Sequence, residues 1–291
     1  MIGLIGLGKM GMAMAQRLKE RGESVIAWDR DGTRVKAAAD AGAKAASDPR
    51  GVASGADTVL SIIMEDGGAR GLWEGKGGFL EGDIKGKLFI EMSTLQPMTV
   101  RALSALAVRA GAAFIDSPLL GSIPTVREGK LVALVGGSDA DVARAKVPLA
   151  HLTARIEHIG PVGAGATMKL VVNNMMGSYL QILAESLAMG ATQGLELSRM
   201  IEVLGNSITA TPWFNAKKKV LLGGDDATTL DIRSLRKDLL SVVATASLHG
   251  VPTPAAAAAA ASLSAAVEAG HGGDDIATLV PFLRKSLPQV W

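Results

Sequence analysis

Short apolar runs alternate with amphipathic stretches through the first half of the chain. Runs rich in β-branched and aliphatic residues, each followed by a glycine or a polar turn, predict strands at residues 1–5, 24–28, 58–63, 88–91, 113–116 and 131–136. Apolar residues at helical spacing between them predict helices such as 10–21 and 98–110. This alternation of strand and helix is typical of a parallel sheet in an α/β domain.

The pattern changes near Gly160 and Pro161. Beyond them, apolar residues recur at helical spacing through 168–194, and glycines predict the ends of later helices at Gly194, Gly205, Gly223-Gly224 and Gly250. We interpret the alanine-rich segment 255–261 as a closely packed helix, because alanine favours helix and its small side chain lets helices approach. We therefore predict two domains, at residues 1–160 and 161–291, of which the second is all-helical.

Composition narrows the functional classes. The formal net charge of +2, with acids and bases interspersed, provides no electrostatic basis for binding nucleic acid or an anionic membrane. The sequence has no cysteine, and its four histidines show no metal-binding spacing, so we expect no disulfide and no metal site. The N-terminal apolar run is too short for a signal peptide or a membrane span. We expect a cytoplasmic protein whose partners are small molecules.

A glycine-rich turn follows the first predicted strand and opens the first predicted helix, with GxGxxG spacing. In a dinucleotide-binding domain the first glycine permits a tight turn, the second lets the backbone approach a pyrophosphate, and the third lets the helix pack on the strand. The helix N-terminus adds N–H groups and a positive dipole. The alternative is a plain turn in a chain with 35 glycines, but the position between strand and helix favours a cofactor. The predicted cofactor-binding positions here are Gly6, Leu7, Gly8, Lys9, Met10 and Gly11.

Asp29 directly follows the second predicted strand, eighteen positions after Gly11. A carboxylate at this place can hydrogen-bond the ribose hydroxyls of NAD and repel the extra phosphate of NADP. The next residue, Arg30, has the opposite effect unless its side chain is solvated. We predict that Asp29 and Arg30 contact NAD or NADP, with NAD favoured.

Lys169 and Asn173 lie four residues apart, just after the glycine-broken turn 160–165. This spacing puts two side chains on one helical face, so an amine and a carboxamide can approach one small ligand. The apolar neighbours of Lys169 argue against a fully exposed lysine. A lysine amine titrates near pH 10.4 in solution, so it acts as a base at neutral pH only where its surroundings lower its pKa.

Five motifs, in the same order along the chain, resemble those of the β-hydroxyacid dehydrogenase family, which includes 3-hydroxyisobutyrate dehydrogenase, tartronate semialdehyde reductase and the glyoxylate/succinic semialdehyde reductases. GLGKMGMAMA at 6–15 resembles the family's GLGxMGxxMA, and EMSTLQP at 91–97 its DxST segment. DSPLLGS at 116–122 is similar to the substrate loop DAPVSGG, and GAGATMKLVVNN at 163–174 to the catalytic helix GxGxxxKxxxN. Lys237-Asp238 resembles a late KD pair. The resemblance covers nearly the whole chain.

This resemblance implies an α/β Rossmann-type N-terminal domain followed by an all-α C-terminal domain, as in 6-phosphogluconate dehydrogenase, with an active site in the cleft between them. It implies hydride transfer between nicotinamide C4 and a short 3-hydroxy acid, its semialdehyde or glyoxylate. Lys169 would be the general acid/base, and Asn173 would hold the substrate oxygen and the lysine rotamer. Family members usually associate through the helical domain, so we expect a homodimer or homotetramer.

The resemblance also implies ligand contacts outside the catalytic helix. Backbone N–H groups at Gly121 and Ser122 would receive the substrate carboxylate, although a simple tight turn is the alternative. Met64 either packs on the cofactor or belongs to the core. The remaining implied contacts are with the nicotinamide ribose and substrate from Thr94, with the substrate from Leu230, and with the cofactor or substrate from Lys237.

Two departures from the family motifs keep other functions open. Leu120 replaces the serine of the substrate loop and Ser122 its second glycine, and Leu230 stands where an aromatic residue is common. With Leu119, these apolar residues suit the uncharged substrate of an imine reductase, although such enzymes commonly place Asp or Tyr at the position of Lys169. A non-catalytic dinucleotide-binding module is a third interpretation, which the intact Lys169 and Asn173 disfavour. The basic run 217–219 is interpreted as a solvated helix face.

Overall fold

The computed structural model describes residues 1–224 and 228–285, and the chain divides into two compact units, Met1–Leu170 and Val171–Trp291. The division falls inside a long helix. The change in sequence pattern near Gly160 and Pro161 predicts domains at 1–160 and 161–291.

The first unit is built on one sheet. Its central strands run parallel in the order β3-β2-β1-β4-β5-β6, and β8 then continues the sheet antiparallel to β6, with β7 and β9 beside it. This is the doubly wound order, in which ligands bind at the carboxyl ends of the strands, where the order reverses between β1 and β4. The strands are β1 (Ile2–Ile5), β2 (Val25–Trp28), β3 (Lys44–Ala45), β4 (Thr58–Ser61), β5 (Leu88–Glu91), β6 (Ala113–Asp116), β7 (Leu119–Leu120), β8 (Leu131–Gly136) and β9 (Thr153–Gly160).

Helices cover both faces of this sheet, and an apolar core lies on each side. One core centres on Leu4, Met14 and Leu18, and the other on Trp73, Phe79 and neighbouring aromatic rings. The helices are α1 (Lys9–Glu20), α2 (Gly32–Asp40), α3 (Pro49–Gly55), α4 (Asp66–Glu74), α5 (Pro97–Arg109), α6 (Ile123–Arg127) and α7 (Asp139–Ala150). The α/β Rossmann-type fold is confirmed.

All six predicted strands are present, with small shifts at their ends. β4 ends at Ser61 because the N–H of Ile63 donates to Ser93 Oγ at 2.8 Å, outside the sheet ladder. Three strands were not predicted from the sequence: β3 and β7, which have two residues each, and β9. β9 lies at the sheet edge and carries charged positions such as the exposed Arg155 and the partly exposed Glu157, so it has no continuous apolar run.

The described part of the second unit is helical. Its helices are α8 (Ala164–Thr192), which begins in the first unit, α9 (Leu197–Gly205), α10 (Pro212–Leu221), α11 (Ile232–Ser247), α12 (Pro254–Ala266) and α13 (Leu279–Lys285). The predicted stops hold: Gly194, Gly223 and Gly250 follow helix ends with φ of +82°, +86° and +69°. The alanine-rich segment is indeed a helix, and three of its small residues are buried, Ala256, Ala259 and Ala260.

One expectation for this unit is wrong. Lys217, in the basic run interpreted as solvated, is only 3% exposed, and its Nζ lies 2.8 Å from Asp275 Oδ2. The reason is helical phase, since Phe214, Lys217 and Val220 share the buried face of α10. Only Lys219 of the run is fully exposed.

Two features are absent from residues 1–224 and 228–285. None of their helices has the length and hydropathy to cross a bilayer. They also contain no cluster of three or more His, Cys, Asp or Glu side chains suited to a metal ion.

Candidate active site

The glycines of the first loop are required by close backbone contacts. Gly6 has φ of +90°, and a Cβ there would lie 2.0 Å from the carbonyl oxygen of Ile62. A Cβ on Gly11 would lie 1.8 Å from the carbonyl oxygen of Gly6. Only glycine therefore lets α1 pack directly on the end of β1.

Gly8 meets a different requirement, because a Cβ there would have no neighbour closer than 3.9 Å. It is the N-cap of α1, and no side chain caps the helix, so first-turn N–H groups remain for an anion. Lys9 is exposed beside it, whereas the side chains of Leu7 and Met10 pack in the core. The loop thus fits a dinucleotide pyrophosphate. A cavity of about 280 Å³ adjoins it, lined by Leu7, Gly8, Lys9, Met12, Thr33, Arg34 and Ala37.

Asp29, at the end of β2, is buried and held in a fixed orientation. Its Oδ2 accepts the N–H of Leu7 at 2.6 Å, and its Oδ1 accepts the N–H of Asp31 at 2.9 Å. Arg34 lies near the same carboxylate, with Nη1 3.7 Å from Oδ2, and also pairs with Asp31 at 3.3 Å. Arg30 is exposed and does not line the cavity. Arg34, five positions after Asp29 in α2, was not predicted from the sequence.

The loops after β4 and β5 are joined by a buried carboxylate. Glu91 Oε2 accepts Ser61 Oγ at 2.7 Å, and Oε1 accepts the N–H of Ser93 at 2.9 Å. Burial raises the pKa of Glu91, and the hydrogen bonds from Ser93 and Ser61 oppose that rise. Thr94 follows this network and is partly buried. Met64 is 52% exposed, so its interpretation as ordinary core is wrong.

The predicted substrate loop contains the short strand β7. Leu119 is buried opposite Ala133, so Leu120 is the partly exposed member of the leucine pair. Gly121 has φ of +134°, and a Cβ there would lie 2.6 Å from Leu131 Cδ2, so a larger residue would be strained. Ser122 begins α6, with its Oγ 3.2 Å from the hydroxyl of Thr125.

Asp116 holds the start of α8, a contact that sequence reasoning missed. Its Oδ1 accepts the N–H of Gly163, and its Oδ2 accepts the N–H of Ala166, both at 2.7 Å. Burial raises the pKa of Asp116 to about 6, against the opposing effects of these two hydrogen bonds and of Arg101. The one signal in the sequence was a carboxylate directly after the apolar run 113–115. Lys169 follows on the same helix and is half-buried, as its neighbours indicated.

Asn173 lies four residues beyond Lys169 on α8, in the helical unit, and is 1% exposed. Its Nδ2 donates to Asp238 Oδ2 at 2.6 Å, and Asp238 Oδ1 is 2.8 Å from Lys237 Nζ. Among the described residues, the Oδ1 of Asn173 has no hydrogen-bond partner. The carboxamide therefore retains an acceptor, while one N–H is occupied by Asp238. Leu230 is partly buried against the core of the helical unit.

Two family models together match most of the chain. Residues 1–160 match the NAD binding domain of 6-phosphogluconate dehydrogenase, and residues 163–283 match the model described as NAD-binding of NADP-dependent 3-hydroxyisobutyrate dehydrogenase. The 2-(hydroxymethyl)glutarate dehydrogenase of Eubacterium barkeri is 29% identical over 96% of this chain and 93% of its own. Glyoxylate/succinic semialdehyde reductase 1 of Arabidopsis thaliana is 27% identical over 98% of this chain and 99% of its own.

Solved structures share the fold. The 3-hydroxyisobutyrate dehydrogenase of Mycobacterium tuberculosis, solved with L-serine, has a TM-score of 0.86 at 22% identity, covering 97% of this chain and 98% of that one. An imine reductase variant from Myxococcus stipitatus, in complex with NAD+, has a TM-score of 0.65 at 21% identity, with 97% and 98% covered.

The glycine loop, the doubly wound sheet and these matches define an oxidoreductase that uses a nicotinamide dinucleotide. The chain belongs to the β-hydroxyacid dehydrogenase family. The family and the fold expected from the sequence are confirmed.

Proposed function

We propose that this protein catalyses reversible hydride transfer between nicotinamide C4 and a short 3-hydroxy acid or its semialdehyde, of the 3-hydroxyisobutyrate, tartronate or succinic semialdehyde, or glyoxylate type. The observation that carries the proposal is the half-buried Lys169 on α8, followed one turn later by the buried Asn173. The names of the two relatives, a dehydrogenase of a hydroxymethyl diacid and a reductase of glyoxylate and succinic semialdehyde, support this substrate class.

Lys169 is the proposed general acid/base. The bound nicotinamide supplies or accepts the hydride, so the substrate oxygen must gain a proton on reduction and lose one on oxidation. Lys169 Nζ would donate that proton or take it. The carboxamide of Asn173 would orient the same oxygen, and it is suited to do so because Asp238 holds its Nδ2 end. Backbone N–H groups at Gly121 and Ser122 would receive the substrate carboxylate.

The other assigned positions are proposed to bind the cofactor and complete the substrate pocket. First-turn N–H groups of α1 would bind the pyrophosphate, with Gly8 leaving the space and Lys9 adding a positive charge. Thr94, Met64 and Lys237 would contact the nicotinamide end, and Leu230 the substrate.

NAD is the proposed preference over NADP. The buried carboxylate of Asp29 is oriented by two backbone N–H groups and lies where it can accept from ribose hydroxyls. The guanidinium group of Arg34 already pairs with Asp29 and Asp31, and these two carboxylates weaken its attraction for a phosphate.

The test is an absorbance assay at 340 nm with NADH and NADPH in parallel. Glyoxylate, succinic semialdehyde and methylmalonate semialdehyde are offered beside a cyclic imine, to wild type, Lys169→Ala and Lys146→Ala. Lys146 is an exposed lysine on α7 and serves as the matched control. We expect acid substrates to be reduced with NADH and the activity to collapse only in Lys169→Ala.

An imine reductase is the second candidate. Leu120 replaces a serine of the family and Leu230 replaces an aromatic residue, and both leucines are apolar and partly exposed. Lys169 argues against it. Turnover of the imine alone would favour this candidate, and cofactor binding without any turnover would favour a non-catalytic module.

A second copy of this chain is the proposed macromolecular partner, through a row of exposed apolar residues on α8. Val171, Met175, Ile182 and Met189 lie at spacings of four and seven residues and span about 27 Å of helix. Sedimentation equilibrium should give a dimer or tetramer that Met175→Lys weakens and Val147→Lys, an exposed apolar residue of α7, does not. A monomeric wild type would contradict the assembly. The cytoplasmic location expected from the sequence stays a prediction.

A further inference from the structure

We propose that Asp116 is a positioning residue: its buried carboxylate holds the first turn of α8, and thereby Lys169, against the strand from which the substrate loop starts. The inference rests on the proposed function for the role of Lys169. It assigns a task to a residue that the hydride transfer itself does not use.

The helix start lacks a cap of its own. Gly163 is in the N-cap position, with its carbonyl oxygen accepting the N–H of Thr167 at 3.0 Å, and glycine has no side chain to bond the free N–H groups of the first turn. The carboxylate of Asp116, at the end of β6 and 47 residues before Gly163, bonds these N–H groups instead. Each of its two oxygens accepts one N–H, from Gly163 and from Ala166, at 2.7 Å.

The backbone around the helix start is closely packed. A Cβ on Gly165 would lie 2.1 Å from the carbonyl oxygen of Leu134 and 2.9 Å from Asp116 Oδ2. A Cβ on Gly136 would lie 2.4 Å from Asp116 Oδ1. Glycine at both positions lets β8 and α8 close around the carboxylate. Lys169 is three residues beyond Ala166, so the orientation of this turn determines where its side chain begins.

Protonation would weaken this arrangement. A neutral carboxyl group carries one O–H, and a hydroxyl facing a backbone N–H replaces one hydrogen bond by a contact between two donors. Burial brings the pKa of Asp116 to about 6, so the change falls close to neutral pH.

The charged and titratable groups around Asp116 are few. Glu91 is its neighbour in the register of β5 and β6, and Arg101 on α5 acts on it electrostatically. His158 on β9 is separated by one residue from the turn 160–165, and its Nε2 lies 2.9 Å from the carbonyl oxygen of Gly137. β8 and α8 meet the carboxylate at Gly136, Gly163, Gly165 and Ala166, through backbone.

The test compares wild type with Asp116→Asn and with Asp48→Asn. Asparagine keeps the shape of Asp116 but turns an N–H₂ group toward one of the two backbone N–H donors. Asp48 is the matched control, because its Oδ1 caps α3 through the N–H of Gly51 at 2.7 Å. Hydrogen–deuterium exchange of the peptide around 161–172 is measured first, since it needs no substrate.

We expect faster exchange of this peptide in Asp116→Asn than in wild type or Asp48→Asn. In wild type we expect faster exchange at pH 5 than at pH 7 after correction for intrinsic rates, because the neutral carboxyl group favours a local opening that breaks the two hydrogen bonds and leaves Asp116 buried. Unchanged exchange in both comparisons would overturn the proposal. The wild-type pH comparison decides if Asp116→Asn fails to fold. Absence of any carbonyl reduction would refute the proposed function separately.

Where an acid semialdehyde is reduced, its pH profile adds a second readout. In the reduction direction Lys169 would donate a proton to the substrate oxygen. Wild type should lose kcat below about pH 6, and Asp116→Asn should lack this acid limb. The kcat of Asp116→Asn should be lower than that of wild type by on the order of 10- to 100-fold, as expected for a misplaced catalytic group. Its binding of NADH should be retained. An acid limb that persists in Asp116→Asn would contradict the positioning role.

Discussion

Asn173 donates a 2.6 Å hydrogen bond from Nδ2 to Oδ2 of Asp238 inside the helical unit. A carboxylate accepts and does not donate, so this contact determines which end of the carboxamide faces Asp238. The carbonyl oxygen and the second N–H of Asn173 are then the groups that a ligand can meet. Asp238, the second member of the KD pair, is in this way hydrogen-bonded to α8.

Asp238→Asn should disorder this orientation, because an asparagine can present either its oxygen or its N–H₂ group to Asn173. We expect kcat for semialdehyde reduction to fall on the order of tenfold or more, since a misplaced group near the reacting atoms costs up to about 100-fold. Steady-state kinetics measure the effect. Asp231→Asn is the control, because Asp231 caps the start of the same helix through Ser234 at 2.8 Å. Equal losses in both variants would contradict a specific role for Asp238.

Asp29→Asn should change cofactor preference. The variant keeps an oxygen that can accept the Leu7 N–H, but it loses the negative charge that repels a 2′-phosphate and binds ribose hydroxyls. We expect the ratio of kcat/KM for NADH over NADPH to fall about tenfold or more, since a hydrogen bond to a charged group contributes roughly 1.5–3 kcal/mol. Asp40→Asn, at an exposed carboxylate of α2, should leave the ratio unchanged. The idea fails if Asp29→Asn also leaves it unchanged.

The stability of the protein should depend on the charge of Asp116. Its pKa is raised from 3.8 to about 6 by burial, so the folded state binds the proton more tightly than the unfolded chain does. The stabilisation from the protonated form is therefore present below pH 4 and is lost as pH rises through 6. At 1.36 kcal/mol per pKa unit the loss is up to about 3 kcal/mol.

Urea unfolding of wild type and Asp116→Asn at pH values from 4 to 7 measures this effect. The wild type should lose stability relative to the variant on going from pH 4 to 6, and the difference should then be constant. Glu91, whose pKa burial also raises, contributes in the same direction in both proteins. Parallel curves for the two proteins would contradict the prediction. In the same window we expect enzymatic activity to rise with pH, opposite to global stability, because global unfolding exposes Asp116 to water whereas loss of its two hydrogen bonds at the start of α8 leaves it buried.

Lys217→Met should destabilise the helical unit. Lys217 and Asp275 form a buried ion pair, and Asp275 Oδ2 also accepts the N–H and hydroxyl of Thr229 at 2.9 and 3.1 Å. Removing the ammonium group leaves a buried carboxylate, for which losses of about 3–5 kcal/mol are typical. Thermal and urea unfolding measure the change. Lys219→Met, two residues along the same helix but exposed, should cost little, and similar losses in the two variants would show that the pair is unimportant.

The order of the first unit's main elements was predictable because it depends on local pattern. Each signal occupies only a few consecutive residues: the apolar runs of β1, β2 and β4, and the glycines at 6, 8 and 11. The helices of the second unit were also predictable, because helical spacing and the glycines at helix ends are local sequence signals. β9 was missed because an edge strand with charged positions has no such signal.

The tertiary structure decided which polar groups meet. Asp116 reaches Gly163 and Ala166 over 47 and 50 residues, Asn173 reaches Asp238 over 65, and Lys217 reaches Asp275 over 58. A hydrogen bond between residues far apart in the chain produces no periodic sequence pattern. The sequence also does not show whether a given carboxylate is solvated or buried. The sequence by itself therefore determined most of the elements, the family and the positions proposed for chemistry. Folding determined the partners that orient them, because only the packed chain removes water from those carboxylates and brings backbone N–H groups within hydrogen-bonding distance.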